Sequence, residues 1–118
     1  MTHPATQLDA VIHPPNRLQI MAILANVQDA EFALLRRMVE VSDSVLSKHL
    51  SALSDAGYVR LRKATQDGRQ RTWASLTRSG RTAFQRHVTA LTALAGLASP
   101  VDAEPPATPA EPAAAAAD

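Results

Sequence analysis

Leu46, Leu50 and Leu53 recur at spacings of four and three, the signature of one buried face on a helix. The pattern predicts a helix over Asp43–Ala56, with Ser42 or Asp43 as N-cap and Gly57 as a left-handed stop. A shorter pattern predicts a helix from Phe32 to about Val39, with Asp29 as a candidate N-cap upstream and a tight Glu40–Val41–Ser42 link between the two helices. After Gly57 the period changes from helical to alternating. Tyr58 to Ala64 reads as a strand, with Val59 and Leu61 on one face and Arg60 and Arg62 on the other. Asp67-Gly68 is a two-residue hairpin turn, and Arg71 to Leu76 is the returning strand, whose weak alternation leaves the face of Trp73 open.

Longer apolar patterns flank this unit. His13-Pro14-Pro15 breaks the chain, and Pro15 or Asn16 starts a helix to about Val27. Leu18, Met21 and Ala25 form one stripe on it, and Ile20, Ile23, Leu24 and Val27 another, so the helix needs cover on two sides. Thr77 caps a last helix from Arg78 to about Leu97. One seam, Phe84, Val88, Leu91, Ala95 and Ala98, and a second, Ala83, His87, Ala90, Leu94 and Leu97, both follow coiled-coil spacing. One seam can rest on the domain while the other meets a partner helix. The surplus apolar surface predicts a homodimer, with Leu18, Ile20, Ile23, Leu24, Phe84, His87, Val88, Leu91, Leu94 and Leu97 as interface candidates. The alternative is a last helix packed only on its own domain.

The 118 residues leave room for one small domain and a tail, divided as an arm or short helix over 1–13, a domain over 14–98 and a tail over 99–118. In the arm, Leu8, Val11 and Ile12 are available for docking. No cysteine is present, which removes disulfides and thiolate chemistry. No apolar run approaches the roughly 20 residues that span a bilayer, and the N-terminus lacks the pattern of a signal peptide, so a cytoplasmic protein without membrane contact is expected. The net charge of +1 conceals segregation: from Arg36 to Arg86 eleven basic residues face only Glu40, Asp43, Asp55 and Asp67. From Ser99 onward there are four acids and no base. That tail, with five prolines and eight alanines in twenty residues, is expected to be disordered, with competition for the basic surface as a secondary role.

With the leucines turned inward, helix 43–56 presents Ser44, Lys48, Ser51 and Asp55 outward, flanked by Val45, Ser47 and Ala52; His49, at the edge of the core stripe, and Ser42, at the helix start, are further candidates for DNA contact. Short polar side chains permit close approach to a major groove. Ser44 and Ser47 can bond bases or phosphates, Val45 can touch a thymine methyl, and Lys48 can reach guanine or phosphate. The competing reading is that Ser42, Ser44, Ser47 and Ser51 only cap and solvate a surface helix. The hairpin adds Arg60, Arg62, Lys63, Arg69, Gln70 and Arg71, with Arg69 beside the turn as the leading candidate for a minor-groove or backbone contact. Its bland counterpart is a charged edge that resists aggregation.

The run SDSVLSKHLSALSDAGYVRLRKA followed by DGRQRTWASLTRSGRTAF resembles the small winged-helix regulators related to the MarR and ArsR families. Their usual form is D-G-N-L-S-K-H-L, then G-Y-V and L-T-x-x-G-R. The resemblance covers roughly residues 8–97. It implies an α+β winged helix-turn-helix fold, mainly helical with a small hairpin, and a homodimer joined through its long last helix. It further implies a bacterial or archaeal, nucleoid-associated transcription regulator, most simply a repressor, on a pseudo-palindromic double-stranded operator. Asp43–Ala56 would be the recognition helix and Lys63–Thr72 the wing. Ser44-Val45 stands where that group often has Gly-Asn, so sequence preference does not carry over. A small-molecule or protein effector is left open. His3, His13, His49 and His87 lack ligand spacing and the last helix has no acid, so no metal or other cofactor is expected, and His87 reads as an interface or surface histidine. No catalytic constellation is present and no enzyme is expected. The alternative in another class is a winged helix used as a protein-interaction module, its arginines a docking surface.

Overall fold

Three leucines of the expected amphipathic helix and three residues of the first helix meet in one core. In the computed structural model, which describes residues 7–98, α1 (Pro15–Leu24) buries Ile20, Met21 and Leu24 completely. These pack with Leu35 and Val39 of α2 (Phe32–Val39) and with Leu46, Leu50 and Leu53 of α3 (Asp43–Asp55). Each such side chain contributes about 1.5–3 kcal/mol when removed from water. From the leading segment, Ile12 is also fully buried and Val11 packs against the same cluster, which realises the expected docking of this stretch.

α1 stops three residues short of Val27. The Asn26 N–H turns to the Ile23 carbonyl, and its side chain donates to the Ala22 carbonyl at 2.9 Å, so local bonding competes with another helical turn. The chain then forms β1 (Ala30–Glu31), which sequence patterning does not anticipate. Asp29 is not the cap of α2: Glu31 holds that position, without a side-chain bond, and Asp29 pairs instead with Arg62.

Between α2 and α3, Glu40 takes a left-handed conformation and Ser42 caps α3 by accepting from the Val45 N–H at 3.2 Å. Such a cap is worth about 1 kcal/mol. α3 ends one residue before Ala56. Gly57, at φ 82°, closes it with two bonds, Gly57 N–H to Ser54 and Tyr58 N–H to Leu53.

The hairpin is longer than its pattern suggested, with β2 (Val59–Gln66) paired to β3 (Arg69–Leu76). Asp67 and Gly68 both have positive φ, which matches the right-handed twist of the strands they join. The sheet order is β1-β3-β2, all antiparallel, with Ala30 opposite Ala74 and Glu31 opposite Trp73. Ala30, Val59 and Ala74 seal the core face. Leu61 shares that face by alternation but lies beyond the core and is partly exposed. Trp73 takes the other face, between Glu31 and Arg62.

The last helix, α4 (Arg78–Ala98), is pinned to the end of α3. The Thr77 hydroxyl donates to the Gly57 carbonyl at 2.6 Å and accepts from the Gly80 N–H at 2.9 Å. Gly80 is required there because a Cβ would sit 2.0 Å from the Tyr58 carbonyl oxygen. Of the two seams on α4, the one containing His87 and Ala90 is turned onto the domain. No helix among the described residues is long and apolar enough to cross a membrane. The expected tail over 99–118 and the first residues of the arm lie outside the described residues.

Candidate nucleic-acid interface

The leucine stripe decides what α3 shows to solvent. With Leu46 and Leu53 fully enclosed, Ser44, Ser47, Lys48 and Ser51 are exposed on the opposite surface, Val45 is 38% exposed, and Ser42 stands at the helix start. Asp43 is drawn aside by Arg36 at 3.0 Å, which leaves the middle of that surface with Lys48 as its cation. His49 lies at the edge, as expected. Its Nδ1 accepts from Arg17 Nε at 3.2 Å. Burial, and then the adjacent Arg17 charge, push its pKa below the ordinary histidine value.

Strand alternation sorts the wing residues into two groups. Lys63 and Thr72 are register partners on the face turned toward α3. With Ser47 and Ser51 they line a cleft of about 380 Å³, floored by Phe32, Leu50 and Leu61. Hydroxyls and one ammonium therefore surround an open groove between helix and hairpin. On the opposite face Arg62 bonds Asp29 at 3.2 Å and lies 5.9 Å above the Trp73 ring. Arg71 donates from Nη1 to Glu31 at 2.6 Å, while its buried Nε lacks a partner among the described residues. These two arginines brace the hairpin against β1. Arg69 and Gln70, beside the turn, are exposed and make no ion pair or side-chain hydrogen bond among the described residues.

The expected partner-facing set divides. Ile20, Leu24 and His87 are fully enclosed within the protomer and have no surface to offer, so they are corrected to core positions. His87 is neither a surface nor an interface residue: its Nδ1 accepts the Asp9 N–H at 2.9 Å and its Nε2 lies 3.4 Å from His13 Nδ1. Burial, then His13, lower its pKa, and Asp9 partly opposes them. Leu18, Ile23, Phe84, Leu91 and Leu94 are partly buried, and Val88 is 40% exposed. The Leu97 side chain lies outside what is described. Patterning gave no sign of Arg17, Asp29 or Glu31 as parts of this region, because each acts on a residue far along the chain.

Among the described residues no group of three or more histidine or acidic side chains is placed to hold a metal ion. A family model described as a winged helix DNA-binding domain matches residues 16–95. An uncharacterized protein of Methanocaldococcus jannaschii is 32% identical over 72 residues, covering 61% of this chain and 78% of that protein. Among solved structures, a transcriptional regulator homologue from Pyrococcus horikoshii is 26% identical, with a TM-score of 0.74, over 82% of this chain and 98% of that one. The PcaV transcriptional regulator from Streptomyces coelicolor, solved with its natural ligand, is similar in fold. Its TM-score is 0.66 at 17% identity, over 79% of this chain and 64% of its own.

Proposed function

Since the chain belongs to the winged helix DNA-binding domain family, we propose that this DNA-binding regulator is a homodimeric repressor that seats α3 in the major groove. The wing, from Lys63 to Thr72, follows the minor groove or the backbone beside it. One observation carries the reading: Ser47 and Ser51 from the small polar surface of α3 and Lys63 of the wing border the same open cleft. Ser44, Val45, Ser47, Lys48 and Ser51 are the base-reading candidates. Lys63, Arg69 and Gln70 are the backbone candidates, with Arg62 and Arg71 bracing them. The face of α4 that carries Val88 and Leu91, outside the protomer core, supports a second copy, and with it two half-sites about one helical turn apart.

The roles separate by substitution. Lys48→Ala is expected to cost about 1–3 kcal/mol on the operator and little on random duplex. Arg69→Ala is expected to weaken both alike, because phosphate contacts carry no sequence information. Equal effects of the two substitutions on operator and random DNA contradict the assignment. Sedimentation at low concentration checks the dimer, and a monomer removes the basis for paired half-sites.

A further inference from the structure

Arg17, near the start of α1, belongs to none of the surfaces assigned from sequence. Its Nη1 donates to the Val11 carbonyl at 3.2 Å, and its Nε donates to His49 Nδ1 at the same distance. The second bond has a chemical consequence. A guanidinium carries only donors and stays charged, so the ring atom that receives its N–H must be unprotonated. His49 is therefore a neutral imidazole with its proton on Nε2, the ring nitrogen farther from the backbone. That N–H has no acceptor among the described residues. The lowered pKa of His49 agrees with this state, since burial and the Arg17 charge both oppose protonation. Arg17 is the charged group in contact with the ring, and Lys48 is its chain neighbour on the exposed surface. His49 follows Val45 by four residues along one flank of α3, whereas Ser47 and Ser51 line the flank beside the wing.

We propose that Arg17 is a positioning residue for DNA recognition, fixing His49 as the Nε2–H tautomer so that it donates to a backbone phosphate on the side of α3 away from the wing. This rests on the DNA-binding reading above. The lock matters because a phosphate would otherwise draw a proton onto the ring. A protonated His49 would lose the Arg17 bond and set two cations side by side, so Arg17 keeps the contact neutral and its strength nearly constant with pH.

The test reads the ring nitrogens of the full chain by long-range ¹H–¹⁵N NMR, without DNA. In the unsubstituted protein His49 is expected as Nε2–H, with Nδ1 an acceptor. Arg17→Met keeps the aliphatic stem but removes charge and donors; the tautomers should mix and the His49 pKa rise toward its ordinary value. Duplex affinity of Arg17→Met should then grow about threefold from pH 8 to pH 6, more than that of the parent, because binding takes up a proton. His49→Gln, whose amide nitrogen replaces Nε2, should bind within about twofold of the parent, and His49→Leu about fivefold more weakly. An Nδ1–H tautomer in the parent, or an Arg17→Met variant with unchanged tautomer and pH profile, overturns the positioning role while DNA binding stands. Equal binding by His49→Gln and His49→Leu overturns the phosphate contact. No duplex binding by the parent at low salt overturns the DNA-binding reading and the donor's use with it, even where the tautomer is as stated.

Discussion

α3 and the wing reach the same cleft but are held by different forces. α3 is seated by Leu46, Leu50 and Leu53, all at most 2% exposed, and its outward surface carries short side chains, mostly serines, with Lys48 as its cation and Asp43 and Asp55 toward its two ends. The wing extends beyond the core and is braced by two ion pairs, Arg62 with Asp29 and Arg71 with Glu31. Apolar seating is insensitive to salt, whereas partly exposed ion pairs are screened by it. The helix is thus fixed in place by the fold itself, and the wing is held in an orientation that its surroundings can adjust.

The most severe way to break this contrast is Leu50→Ala. It should cost about 2–5 kcal/mol in urea unfolding, because the lost side chain leaves a cavity that a small core cannot close. A loss under 1 kcal/mol would mean that α3 is not core-seated. A smaller effect belongs to the core side through His87. Its folded-state pKa lies below the ordinary value, first by burial and then by His13, so the neutral form is the one that the fold stabilises. That contribution is fully present above about pH 6.5, the unfolded value, and is lost as pH falls through the folded value. Urea midpoints should therefore decline between pH 6.5 and 5, and the decline should flatten in His87→Gln. An equal decline in both proteins removes His87 as its source. Smallest is Glu31→Gln, which releases Arg71. It should cost about 1 kcal/mol or less in global stability yet raise amide exchange in β3 near Arg71, with α3 unchanged. Matching changes in α3 would show that the two regions are not separately held.

Legibility followed distance along the chain. The stripe of α3, the Ser42 cap, the Gly57 stop and the Asp67-Gly68 turn are each encoded within a few neighbouring residues, and each stands where its pattern placed it. The exposed serines of α3 followed from the same stripe. β1 escaped because two residues cannot display a period; only its pairing with β3 makes it a strand. The pairs that brace the wing join residues 33 and 40 positions apart, and Asp9 meets His87 across 78. Nothing local marks such partners, so Arg62 and Arg71 looked like Arg69. His87 lay on a regular seam, and periodicity could not decide which of two seams the domain would cover.

The central claim, that α3 and the wing together bind duplex DNA, is tested most directly by salt. The purified protein is titrated onto the duplex upstream of its own gene as the salt is raised from about 50 to 200 mM. With about six phosphates neutralised by a dimer, affinity should fall roughly a thousandfold, linearly on logarithmic axes, because bound cations are released. An affinity that stays within about twofold over that range, or no binding at the lowest salt, contradicts the account.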